Sequence, residues 1–474
     1  MLTLTLPPLG WWPLGPVGVA VLALVLLQSG WRGRLVLGLG AGLGLYGPGL
    51  WWATEFHAVG WVLLVVVESL LFAGAVGLAR WPVALPPALV VLEAVRGHWP
   101  FGGLPLAGLD LGQVNGPLLG SARVGTYLCV VGVMATAGVG LAQAARRRVV
   151  PAVVGLGLAV LAALSGSMAP DGKPAGTVAV AAVQGGGERG VRAVDSDEAA
   201  VLDRHLAASR RIEPGAAALI LWPEDVIDLD GEFAGSAEER ALASLARELG
   251  ATVVVGVVEE VDGDPPRFRN ASVVFGPDGA VVDRYDKVHR VPFGEYVPFR
   301  SVVDKVADVS AIPRDALAGR GAGAVDTAAG RMAVTISYEV FFADRARSGV
   351  AAGGRLLLVP TNASSYTTSQ VPSQEVAVAR VRAVETGRWT VQAAPTGYSA
   401  VIDHRGRVRA QGTLGSAEVL TRTVGLRTGR TLAVRLGETP AVVAAGAILA
   451  LPWVRFGARQ RPVRSFPRAR IRRS

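Results

Sequence analysis

Two textures divide this chain. Up to about residue 170 the apolar residues run in long blocks separated by short polar gaps; from 171 to about 430 they alternate with charged positions. The blocks fall at 14–29, 35–53, 57–79, 82–95, 118–142 and 149–167, and a seventh follows at 437–454. They predict seven apolar helices. A perpendicular membrane span needs ~20 residues, so the short block at 82–95 is open to a re-entrant or interfacial reading. Pro7, Pro8, Trp11 and Trp12 ahead of the first block suit a headgroup-depth approach, and Met1 to Trp12 lacks the basic start of a secretory signal.

The middle of the chain reads differently. Val178–Val183, Ala217–Leu221, Ala251–Val258, Ser272–Phe275, Met332–Ile336 and Leu356–Val359 are short β-branched or apolar runs, and two more lie near 390–394 and 399–402. Gly276-Pro-Asp-Gly marks a hairpin turn before Val281. Ala237–Leu249 has a helical period with Glu238, Glu239 and Arg247 on its wet side, and a second helix is expected across Ser373–Glu385. Strands alternating with helices over some 250 residues imply an α/β layered domain. The expected organisation is a multi-helix membrane part at 1–170, a layered domain at 171–430, a C-terminal membrane helix at 431–456 and a basic tail at 457–474.

Composition sharpens this. Only 18% of the 474 residues are charged and mean hydropathy is +0.40, against about 25% charge in an ordinary soluble protein. The net charge of +9 is concentrated in the tail, which carries eight arginines and no acid from Arg455 onward. That places the basic excess beside a membrane helix, where it suits anionic lipid and not nucleic acid. Arg32 and Arg34, Arg80, Arg146 to Arg148 and the tail all fall on one side of a seven-segment topology. By the positive-inside rule that side is cytoplasmic, and the layered domain is extracytoplasmic. One cysteine, Cys129, and five histidines build no metal cluster, so no metal is expected. Glu93 and Arg96, three apart near the outer end of a segment, are expected to pair, or to meet a lipid headgroup.

Three stretches carry candidate chemistry. The strand at Met332–Ile336 stops on a hydroxyl, Ser337, followed by Tyr338 and Glu339; such a turn lifts a reactive atom above a sheet edge, although a serine also simply closes many strands. Glu224 ends another apolar strand beside Trp222 and Pro223, a setting that suits a general base, while a role next to a helix cap is the plainer alternative. Lysine occurs three times, at Lys173, Lys287 and Lys305, among 47 basic residues. A chain that prefers arginine this strongly keeps lysine where a compact ammonium is wanted. Lys173 is expected in a linker and Lys305 on a helix surface, leaving Lys287 as the candidate.

Trp222-Pro223-Glu224, Tyr285-Asp286-Lys287 with Val291 to Pro298 (which includes Glu295), and Ser337-Tyr338-Glu339 resemble the Glu, Lys and Cys motifs of the nitrilase superfamily. With membrane segments before and after, the arrangement resembles the apolipoprotein N-acyltransferase family. Further matches are Glu93 and Arg96-Gly97 with Gly103-Leu104-Pro105, Val183-Gln184-Gly185, Thr361-Asn362-Ala363, Ala379 to Glu385 and Gly397 to Ile402. The resemblance implies a four-layer αββα domain held outside the cytoplasmic membrane by the multi-pass helical part. It implies ping-pong transfer of an acyl chain from a phospholipid to the amino group of the diacylglyceryl-cysteine of apolipoproteins, by a monomer needing no cofactor. Glu224 then stands as general base, Lys287 as oxyanion stabiliser and Ser337 at the nucleophile position, with Glu295, Tyr338 and Glu339 in support. The three catalytic side chains are expected to share one cleft facing the membrane.

The departures are as informative. The family nucleophile is cysteine, and the position here is Ser337, with no thiol anywhere in the layered domain. The loop Val191 to Asp195 lacks a tryptophan the family often has; Asn362 to Tyr366 replaces an Asn-Ala-Trp-Phe loop, and Gly103 to Leu106 a Gly-Phe-Pro-Trp element. The family usually has eight membrane segments against seven here. A site tuned for sulfur need not activate oxygen, so weak or no transfer is expected from the serine. Three readings stand: an acyltransferase using Ser337, a silent relative that binds lipoproteins or acts as a scaffold, and a membrane-tethered amidase.

Overall fold

The computed structural model describes residues 1–55, 58–187, 197–263, 266–305, 309, 312–362 and 370–459. The Val191 to Asp195 loop, positions 363–366 and the tail beyond 459 lie outside the described residues. Each of the seven apolar blocks becomes a helix: Leu14–Leu26, Trp31–Gly49, Ala58–Leu78, Leu85–Arg96, Ala122–Ala145, Val149–Met168 and Thr439–Arg459. By length and apolarity Ala58–Leu78, Leu119–Ala145 and Val149–Met168 are able to cross a membrane, while Leu14–Leu26 and Thr439–Leu451 are shorter apolar helices. Leu85–Arg96 has twelve residues, nine of them buried, so it lies inside the helical bundle instead of along its surface. Gly38 and Gly42 bring two helices into backbone contact, since a Cβ at either would stand 2.7 Å from the Cα of Ala73 or Ser69. Small residues four apart permit this approach where lipid supplies no hydrophobic drive.

The layered domain holds two sheets. In the first, the strand order is Glu418–Thr428, Lys173–Gln184, Leu219–Leu221, Thr252–Val261, Arg267–Phe275, Val281–Asp286, with Ile227–Leu229 beside the fourth and Asp315–Ala316 beside the fifth. In the second it is Val408–Gln411, Ala400–Ile402, Thr390–Ala393, Leu357–Pro360, Gly330–Val334, Ala324–Thr327. Lys173 therefore begins a strand, where the sequence predicts a linker. The period-two alternation of strand side chains sorts the core. Val178, Val180 and Ala182 face the second sheet, meeting Met332, Val334, Ile336 and Leu358. Ala181 and Val183 face the other way, onto the layer containing Glu198–Ser209 and Ala237–Leu249. The second sheet's outer face is covered by Val371–Thr386 and Ala343–Ala351, completing the αββα order.

That fourth layer is shared. Val371–Thr386 is buried on nearly all sides because one face meets the second sheet and the other meets the helical bundle in a single continuous apolar cluster. Polar pegs fix the seam. Gln374 accepts from Ala107 N (3.2 Å) and donates to Gly49 O (3.0 Å), and Arg380 donates to Asn115 Oδ1 and Val114 O. The predicted Glu93–Arg96 pair forms at 2.7 Å, and Glu68, 28 positions earlier than Arg96, joins it at 2.5 Å. Arg96 also donates to the carbonyls of Leu104 and Leu106, which binds the 97–118 connection to the bundle.

Candidate active site

The chemistry-bearing residues gather where parallel strands end. Glu224 follows Leu219–Leu221, Lys287 follows Val281–Asp286, Ser337 follows Gly330–Val334 and Thr361 follows Leu357–Pro360. Within each sheet these strands run the same way, so their C-terminal ends share an edge. Two sharp turns then aim the side chains. Ser337 adopts φ +47° and Asp225 φ +55°, both in the left-handed region that costs an L-residue on the order of 1–3 kcal/mol. At Ser337 the strain is held by Glu339, whose Oε2 accepts the Ile336 N–H at 2.9 Å and starts a tight turn over Ser337–Phe341. At Glu224 it is permitted by Gly256, where any Cβ would collide with Pro223 O and the Glu224 Cα.

The core of the site is an ammonium between two carboxylates. Lys287 Nζ lies 2.8 Å from Glu224 Oε1 and 2.7 Å from Glu295 Oε1, with Lys287 2% exposed. Asn270 Nδ2 donates to the same two oxygens at 2.9 and 3.0 Å. Glu295 Oε2 accepts Val291 N at 2.8 Å and thereby closes its own loop. Burial pulls the Lys287 ammonium down, but Glu224 and Glu295 outweigh it and hold its pKa well above the ordinary lysine value. Lys287 is charged, and one of its three N–H donors stays uncommitted to these carboxylates.

Glu339 couples the two sheets. Its Oε1 accepts from Tyr285 OH at 2.8 Å, Val288 N at 2.8 Å and His289 N at 3.1 Å, so one fully buried carboxylate holds both the serine turn and the chain just after Lys287. Arg345 donates to Tyr285 OH at 2.7 Å behind it. Tyr338 points the other way and donates to Gly103 O at 2.9 Å, tying the turn to the connection that Arg96 anchors. The site edge therefore faces the helical bundle.

Three participants are not singled out by the sequence. Asn270 sits mid-strand with no motif to mark it. Thr361 is visible there only within the Thr361-Asn362-Ala363 match. Its Oγ1 is 3.4 Å from Ser337 Oγ and 2.7 Å from Glu375 Oε1. Glu375 is 4% exposed, and burial foremost pushes its pKa up to about 8; Glu224 adds to the rise, while Thr361 and Lys287 oppose it. A lone acid in the run Val371 to Val378 is the one signal the sequence offers for it. Among the described residues no group of three or more His, Cys, Asp or Glu is placed to hold a metal.

A family model for the carbon-nitrogen hydrolases matches residues 179–433, and one for the apolipoprotein N-acyltransferase N-terminal domain matches residues 1–140. An apolipoprotein N-acyltransferase from Mycolicibacterium smegmatis is 31% identical over 493 residues, spanning 94% of this chain and 82% of the relative. Another, from Photobacterium profundum, is 27% identical over 474 residues, spanning 92% and 90%. The chain belongs to the apolipoprotein N-acyltransferase family.

For a member of the apolipoprotein N-acyltransferase family the geometry has a direct chemical meaning. Glu224 and Lys287 are in contact; Glu339 accepts both the Ile336 N–H ahead of Ser337 and the Val288 N–H after Lys287, and Thr361 stands between Ser337 and Glu375. Glu224 Oε1 is fully engaged by Lys287 and Asn270, while Oε2 has no hydrogen bond among the described residues. An acceptor oxygen, a spare ammonium N–H and a hydroxyl on a strained turn are the kinds of group that acyl transfer uses.

Proposed function

We propose that this protein transfers an acyl chain from a membrane phospholipid to the α-amino group of a diacylglyceryl-cysteine apolipoprotein, with Ser337 as the attacking atom. What supports the reading is the strained turn at Ser337, held by the same Glu339 carboxylate that accepts the Val288 N–H next to Lys287, together with the Glu224–Lys287–Glu295 cluster. In the first half, Ser337 Oγ bonds to the ester carbonyl carbon and its proton goes to Glu224. The oxyanion forms against Lys287 and the peptide N–H of Tyr338, then collapses. The carbon–oxygen bond to the lysophospholipid breaks, and that alkoxide takes the proton back from Glu224. In the second half, the lipoprotein amine attacks the serine ester, gives a proton to Glu224 and leaves as the amide, while Ser337 Oγ recovers its hydrogen. Glu295 and Asn270 fix Lys287 and Glu224 in place, and Tyr338 and Glu339 hold the turn.

The same proposal includes a multi-pass topology with the layered domain extracytoplasmic, supported by the one-sided placement of Arg32, Arg34, Arg80 and Arg146 to Arg148. The proposal takes the protein to act as a monomer. The helical parts on both sides of the layered domain favour a lipid-linked substrate over a soluble amide. A silent, lipoprotein-binding relative is favoured by one observation, the serine standing where the family uses cysteine. Mass spectrometry of lipoprotein N-termini, in cells where this is the sole such protein, separates the two. N-acylated termini lost on Ser337→Ala, by the several orders of magnitude that accompany loss of a nucleophile, support transfer. Ser337→Cys should raise transfer, because the thiolate forms far more readily than the alkoxide. Unmodified termini with the intact protein establish the silent reading.

A further inference from the structure

The serine has a neighbour chain that runs through Thr361 to Glu375. Thr361 ends the strand adjacent to that of Ser337 and is fully buried. Its hydroxyl oxygen lies between Ser337 Oγ at 3.4 Å and Glu375 Oε1 at 2.7 Å. Glu375 sits in the second turn of Val371–Thr386, and its Oε2 is buried without a hydrogen-bond partner among the described residues.

A threonine hydroxyl has one hydrogen to give. It serves Ser337 or Glu375, never both at once. With a proton on Glu375, the carboxyl donates to Thr361, Thr361 donates to Ser337 Oγ, and the serine hydrogen is left to point toward Glu224. With Glu375 ionised, the carboxylate claims the threonine hydrogen. Ser337 must then donate to Thr361, and its hydrogen is turned away from the base.

We propose that Glu375 is a positioning residue: through Thr361 it sets the direction of the Ser337 hydroxyl, and its protonated form is the one that readies the serine for attack. The role rests on Ser337 being the attacking atom, as proposed above. A weakly acidic nucleophile gains most from such help, because its hydrogen must already lie on the path to Glu224. The ionisable groups acting on Glu375 are Glu224, which favours its neutral form, and Lys287, which opposes it; burial outweighs both and brings it to about 8. The neutral form therefore prevails below that pH, and the ready state is lost as pH rises through it.

Two measurements test this on the full-length protein in detergent. The first is infrared difference spectroscopy of the carboxylic-acid carbonyl stretch near neutral pH, which needs no turnover. A band lost in Glu375→Gln and displaced by both Thr361→Val and Ser337→Ala is expected. A band unmoved by Ser337→Ala, or no change in Glu375→Gln, overturns the chain. The second is the pH profile of acyl-enzyme formation from phospholipid alone, which keeps the titrating lipoprotein amine out of the reaction. The rate should fall ~10-fold per pH unit above the Glu375 transition, as expected when one protonation state is active. Glu375→Gln, whose amide donates to Thr361 without titrating, should abolish that fall, and Glu375→Ala should lower the rate on both sides of it. An alkaline fall retained in Glu375→Gln refutes the role. Acyl-enzyme persisting in Ser337→Ala would instead refute Ser337 as nucleophile, a result the infrared coupling does not depend on.

Discussion

Replacing Glu339 by Gln tests whether one carboxylate holds the serine turn and the Lys287 segment together. The carboxylate offers two acceptor oxygens to Tyr285 OH, Val288 N, His289 N and Ile336 N, all within 3.1 Å. Glutamine has a single acceptor oxygen. Its better orientation keeps that oxygen at the Oε1 position, where Val288 and His289 converge, and sets its NH₂ against the Ile336 N–H. One buried backbone donor is then orphaned, at about 1–3 kcal/mol. The surviving bonds lose their charge assistance, worth roughly half their strength. Together these give ~2–5 kcal/mol, or on the order of 5–15 °C in the melting midpoint of a domain this size. The freed N–H immediately precedes Ser337, so its φ of +47° loses its restraint. A displacement of ~1 Å there is enough for about 100-fold in rate. Circular dichroism melts of the detergent-solubilised protein and acyl transfer to a lipoprotein peptide measure the two effects. A midpoint within about 2 °C of the unmodified protein, a shift too small for even the loss of one buried hydrogen bond and its charge assistance, would refute this role for Glu339.

Lys287→Met leaves Glu224 and Glu295 buried without their shared cation, at ~3–5 kcal/mol near neutral pH. In the unmodified protein the raised Lys287 pKa keeps its contribution present below the ordinary lysine value, hence constant from pH 5 to 8. The carboxylates of the variant gain relief by protonation, so the gap between the two melting midpoints should widen from pH 5 to pH 8; a gap that narrows contradicts the pairing. A reporter fused after Ser474 should be cytoplasmic and one inserted near Gly263 extracytoplasmic, and finding both on one side removes the seven-segment topology.

Much of the architecture is legible locally. The seven helices follow apolar blocks, and Ala237–Leu249 begins and ends where expected because its limits are written into the chain: Ser236 caps Glu239 N, and Gly250 takes the left-handed closing conformation. The strand at Glu418–Thr428 has no such signal, because its exposed stretch, Thr421 to Thr423, is polar and its partner Lys173–Gln184 begins some 245 residues earlier. Glu224, Lys287, Glu295 and Ser337 are recoverable as motifs because each is tied to its own strand end or turn.

What joins them is not recoverable in that way. Asn270 bridges Glu224 and Glu295 from mid-strand, Glu68 reaches Arg96 across 28 positions, and Glu375 meets Ser337 only through Thr361 on a neighbouring strand. A sequence determines where helices, strands and strained turns form, because those depend on periodicity, caps and the conformational cost of residues close in the chain. Which buried donor faces which acceptor depends on how the layers pack. That choice belongs to the tertiary structure, because an unpaired polar group in the interior costs as much as several favourable local preferences combined.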